Sequence, residues 1–155
     1  MSNLFSEKDV VLDLEIYPNF VLFAFKHLAT GRLITIDLRG PEETLSKEQR
    51  KKLAGLMTKY RTFGFNSMNF DLPIIVYALA GADVQSIFKL ADKIIKENLS
   101  HYRTMQFIDE TVPNTFDHFD VSEPAPGVRI SLKLYGGRMH SKRLQDLPIE
   151  PGTWL

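Results

Sequence analysis

The sequence predicts an α/β domain with a mixed sheet, and three observations carry that reading. The chain opens with three strand-like runs, at residues 10–17, 20–28 and 33–38. Helical patterns then alternate with short strand patterns, and turn or cap residues stand at most junctions between them. A length of 155 residues suits one compact domain, spanning the whole chain, with its own apolar core.

In "VVLDLEIY", Val10, Leu12, Leu14 and Ile16 alternate with Val11, Asp13, Glu15 and Tyr17, the period-two pattern of a strand. "FVLFAFKHL" is apolar on both faces, as a central strand buried on two sides is. "HLATGRL" supplies a glycine-containing turn into "LITIDL", which predicts a hairpin. Ser46 and Gln49 then read as a capping box, followed by Leu53, Leu56, Met57 and Tyr60 at helical spacing. "RTFGFN" (61–66) predicts a short strand, and "DLPIIVYALA" (71–80) a helix that tolerates Pro73 in its first turn. Gly81 ends that helix. Asp83 caps the next, whose apolar stripe is Ile87, Leu90, Ala91, Ile94 and Ile95. Between residues 100 and 126 the signal is weak, and one strand is expected at 117–121. "ISLKLYGG" (130–137) suits a short helix stopped by its paired glycines, and the tail after it reads as irregular.

Composition excludes several classes. Nineteen basic residues balance nineteen acidic ones, so the chain lacks the overall basic signature of many nucleic-acid binders, although a local patch remains compatible with neutrality. The absence of cysteine excludes disulfides and thiolate metal sites. No run of eighteen apolar residues predicts a membrane span, and the N-terminus has no signal-peptide pattern. The expectation is a cytoplasmic protein with no membrane partner.

Asp13 and Glu15 are the acids that ask for an explanation. An amphipathic strand puts such residues on its wet face. Yet Val11 shares that face, which suggests a face that begins in the core and turns polar toward the strand's end, where α/β sheets place ligands. Side chains at i and i+2 lie about 6.6 Å apart along a strand. Carboxylates so placed can share two divalent ions about 3.5–4 Å apart. Asp71, at the start of a helix, reads as an N-cap, a role compatible with ligating a metal through its other oxygen.

Taken together, "DLE" with the following "IYPN" on a first strand, and "GFNSMNFDLPII" at a strand-to-helix junction, resemble the first two motifs of the DEDD exonuclease superfamily. This is the superfamily of proofreading 3′–5′ exonucleases, and the exonuclease domains of bacteriophage DNA polymerases are a near likeness. "ISLKLYGGRMHSKRLQDLP" resembles a later segment of these proteins, so the likeness runs from residue 9 to about 148. It implies a ribonuclease H-like mixed sheet flanked by helices, and a DNA-replication role on single-stranded or frayed DNA 3′ ends. It also implies two divalent ions, Mg²⁺ or Mn²⁺, which suit carboxylate oxygens. Carried over, Asp13 bridges both ions, Glu15 binds the one that activates water, and Asp71 holds the second, directly or through water. Asn66 and Asn69 then bind substrate or brace the turn, and Phe70 stacks on a terminal base or belongs to the core. Asp120 resembles a supporting acid near the site rather than a ligand, or is a plain surface acid. Lys133 and Arg138, in a basic stretch with His140, Lys142 and Arg143, either follow a phosphate backbone or form a solvated surface.

One departure limits the likeness. The superfamily's third motif is Tyr-x-x-x-Asp or His-x-x-x-x-Asp, and no tyrosine or histidine here has an aspartate at that spacing. That motif is expected on a helix beyond residue 155, which makes the domain C-terminally incomplete, whether naturally split or truncated. Partners implied are DNA and a polymerase or C-terminal fragment supplying the fourth acid, and an uncovered sheet face is expected to favour homo-oligomers. Weak or absent hydrolysis by this chain is expected. Two alternatives follow: a non-catalytic module binding nucleic acid or a polymerase, and an exoribonuclease on short RNA.

Overall fold

Alternation in the first forty residues becomes an antiparallel meander. In the computed structural model, which describes residues 5–108, 115–122 and 152–154, β1 (Asp9–Tyr17) pairs with β2 (Phe20–His27), and β2 pairs with β3 (Leu33–Arg39). The β1–β2 turn is only Pro18-Asn19, with Tyr17 opposite Phe20, so the pairing is in register from its first residue. α1 (Lys47–Lys59) follows, with the expected capping box: Ser46 Oγ accepts from Gln49 N–H, and Gln49 Oε1 accepts from Ser46 N–H. A cap of this kind contributes about 1 kcal/mol.

β4 (Arg61–Gly64) then enters beside β1 and parallel to it. α2 (Asp71–Leu79), α3 (Val84–Glu97) and the short α4 (His101–Met105) carry the chain to β5 (His118–Asp120), parallel to β4. The five-stranded mixed sheet has the order β3-β2-β1-β4-β5, which puts β1 at its centre. No helix among the described residues is long and apolar enough to cross a membrane.

The core lies on one face of this sheet. Val10, Leu12 and Leu14 of β1 and Val21, Phe23 and Phe25 of β2 are buried in one cluster with Leu53 and Met57 of α1, Ile74 and Ile75 of α2, and Ile87 of α3. Gly81 ends α2 at φ +106°, where its N–H reaches the Ala78 carbonyl. Asp83 caps α3 through Ser86 N–H at 2.7 Å. Ile95, expected in the apolar stripe, is instead 68% exposed. One residue past Ile94, it is rotated about 100° from the buried face.

The opposite face differs from expectation. Val11 is 37% exposed, so the face carrying Asp13 and Glu15 does not begin in the core. Cross-strand register places Lys26, Ala24 and Leu22 of β2, Phe63 of β4 and Phe119 of β5 on the same side. Lys26 and Phe119 are exposed and the others half-buried, so β2 is buried on one face and not on two. The expected helix at 130–137 and the tail after it lie almost wholly outside the described residues.

Candidate active site

The loop from β4 to α2 decides where Asp71 goes. Residues 65–70 leave β4 through Asn66, whose φ of +54° lies in the left-handed region, one of the few conformations that asparagine tolerates better than other side chains. Asp120, at the end of β5, fixes this turn. One carboxylate oxygen accepts from Asn66 N–H at 2.9 Å and the other from Met68 N–H at 2.9 Å. The first also takes Ser122 N–H at 2.9 Å and Ser122 Oγ at 2.7 Å. Burial works to raise the Asp120 pKa, but these donors outweigh it and hold the carboxyl below its ordinary value.

A second brace was not foreseen from the sequence. His118 of β5 sits between two buried hydroxyls, with Nδ1 at 2.8 Å from Thr62 Oγ1 and Nε2 at 2.7 Å from Ser67 Oγ. Burial, opposed by the Asp120 charge, keeps the ring below its usual pKa and therefore neutral. The neutral ring has one donor and one acceptor nitrogen, so each can meet a hydroxyl. Ser67 also approaches the backbone: a methyl group added at Gly64 would stand 2.5 Å from its Oγ. Gly64→Ala is therefore expected to lower stability by about 1–3 kcal/mol. An unchanged denaturation midpoint would show that the Ser67 turn shifts freely.

The two asparagines brace the loop as well. Asn69 Oδ1 accepts from His101 N–H at 2.9 Å and its Nδ2 lies 3.4 Å from Asn66 Oδ1, while His101 Nδ1 lies 2.7 Å from the Met68 carbonyl. Phe70 is half-buried against the core. The expected cap role of Asp71 is corrected. Asp71 is the first helical residue, Phe70 stands at the N-cap, and no side chain caps α2. Leu72 N–H and Ile74 N–H instead find the Ser67 and Phe70 carbonyls, which leaves the Asp71 carboxyl without a capping duty.

Asp71 comes to lie against β1. It is 7% exposed, and burial first, then the charge of Asp13, pushes its pKa up to about 8. Burial also raises Asp13, against an opposing Leu14 backbone N–H. It raises Glu15, where the Asp13 charge adds to it. Asp13 is thus the charge that both other acids feel. It is exposed, and it lines a groove of about 300 Å³ with Val11, Phe63, Phe65 and Val121. None of the three acids enters an ion pair among the described residues.

The Asp13 charge bears on Glu15 and Asp71, and no basic side chain pairs with any of the three among the described residues. Carboxyl oxygens are the donor type that suits Mg²⁺ or Mn²⁺, but among the described residues no three acidic or imidazole side chains stand together at metal-ligand spacing. Lys133 and Arg138 lie outside the described residues. Compared with known proteins, the chain matches no family model, no curated protein and no solved structure.

Proposed function

We propose that this chain carries a metal-dependent phosphodiesterase site of the 3′–5′ exonuclease type on a ribonuclease H-like sheet. The observation that carries the reading is the uncompensated trio of Asp13, Glu15 and Asp71, with Asp13 central to it. A mixed sheet with the acidic strand at its centre and helices against one face supports the fold reading.

Asp13, Glu15 and Asp71 would hold divalent ions, which supply a nucleophilic hydroxide and stabilise the leaving 3′ oxygen. The protein's own share is positional. Asp120 and His118 hold the β4–α2 turn that leads into Asp71. The groove beside Asp13 offers aromatic surface for a terminal base in Phe63 and Phe65. The non-catalytic alternative shares this site and differs only in hydrolysis.

The test is digestion of 3′-end-labelled oligonucleotides, DNA and RNA in parallel, in Mn²⁺, with and without a C-terminal extension or fragment. Asp13→Ala is expected to lower the rate by at least about a hundredfold, as loss of a shared ligand should. Equal digestion by wild type and Asp13→Ala would remove the assignment. No digestion in any combination would leave the binding module as the reading.

A further inference from the structure

On the far side of β2 lies a feature that the candidate site does not use. A groove of about 800 Å³ runs between α1 and the edge strand β3. Four cations line it, Arg32, Lys51, Lys52 and Lys59, against the single carboxylate of Glu48. In a chain with no net charge, that is a local concentration of positive charge. None of the four makes an ion pair among the described residues, whereas Arg39, Arg61, Lys93 and Lys96 all do. Its walls also carry Tyr60, half-buried, and Leu33, 63% exposed.

The groove opens at the β3 edge beside α1, and α1 packs on the face opposite Asp13, so the groove is a surface separate from the candidate site. One geometric fact narrows its occupant: the edge resists a peptide. In β3, Thr35 and Asp37 turn their carbonyls outward, and these already accept from Lys52 Nζ and Gln49 Nε2, each at 3.1 Å. An added strand would have to displace both bonds.

We infer that the α1–β3 groove is a phosphate-backbone site for single-stranded nucleic acid. A chain of phosphates matches unpaired cations spread along a groove, and an aromatic wall suits bases of any sequence. The choice of nucleic acid over another polyanion rests on the nuclease-type reading, and the binding itself can be measured separately.

The experiment uses the full chain in EDTA, so that no hydrolysis occurs, and follows the anisotropy of a labelled single strand of about sixteen nucleotides. Lys51 and Lys59 are exposed and hold nothing in place, so the Lys51→Gln/Lys59→Gln variant keeps the fold; an unchanged melting curve verifies this. It is expected to bind about tenfold more weakly at low salt, with the slope of log K against log salt reduced by about 1.4, or about 0.7 per lost phosphate contact. Lys93→Gln/Lys96→Gln, on α3, is expected to bind as wild type does. Wild-type affinity and slope in the groove variant would overturn the proposal, as would absence of binding by the wild type. Displacement by polyglutamate as effective as by unlabelled oligonucleotide would also overturn it, in favour of an acidic protein partner. Failure of Asp13→Ala to slow digestion would remove the nuclease reading and leave this binding result standing.

Discussion

Asp71→Asn is expected to make the metal-free protein more stable at pH 8 and less responsive to Mn²⁺. In the wild type the Asp71 pKa is pushed to about 8, by burial and by the Asp13 charge, whereas the unfolded chain ionises near 3.8. Between these values the folded state binds the extra proton, so stability falls as pH rises from about 4 to about 8. Asparagine imitates the neutral acid and removes that slope, a gain on the order of a few kcal/mol at pH 8. Under the proposed function, the metal requires the ionised form. Mn²⁺ binding near pH 7 should then release protons and tighten as pH rises, and it should stabilise the wild type far more than the variant. Thermal melts at pH 5 and pH 8, with and without Mn²⁺, test both halves. Parallel pH profiles for the two proteins would show that Asp71 is not held neutral.

Asp120→Ala should have the opposite sign, with a loss of about 3–4 kcal/mol at neutral pH. The carboxylate accepts from three backbone N–H groups and one hydroxyl, and the variant strands those donors in a part-buried site. Because the folded-state pKa is lowered, its contribution is present above the unfolded value and is lost as pH falls through the folded one. Wild type and variant should therefore converge in stability under acid. Urea denaturation at pH 7 and at pH 3 would show it, and a constant gap between the two proteins would mean that Asp120 is not the ionised clamp. The pair separates two kinds of acid in one small region: Asp71 strains the fold, and Asp120 secures it.

Local chemistry made much of this fold legible. The alternation in β1 and β3, the Ser46–Gln49 box and the Asp83 cap depend on neighbours within four residues, and each element appears where those residues place it. What escaped depends on distant contacts. α4 is five residues long, too short to show a period, and is held by the Ser100 cap and by His101 bonds to Asn69 and Met68. The His118 brace joins residues 51 and 56 positions apart, and its only local sign is a serine three residues after Gly64. Asp71 showed itself as a helix-start acid. Its freedom from capping depends on the Ser67 and Phe70 carbonyls, set by a loop that Asp120 holds from 54 and 52 positions away. The exposure of the β1 open face depends on what packs over it, which Val11 alone does not encode.

The clamp also says something about the order of folding. Asp120 reaches back 54 and 52 residues to hold Asn66 and Met68, so the bonds that brace the turn before Asp71 form only once β5 has docked. The β1–β2–β3 meander closes through short turns and gains its pairing early, whereas contacts across such separations carry a larger loop-closure cost. A partly folded chain would therefore carry Asp13 and Glu15 on a finished hairpin before the loop leading to Asp71 is braced.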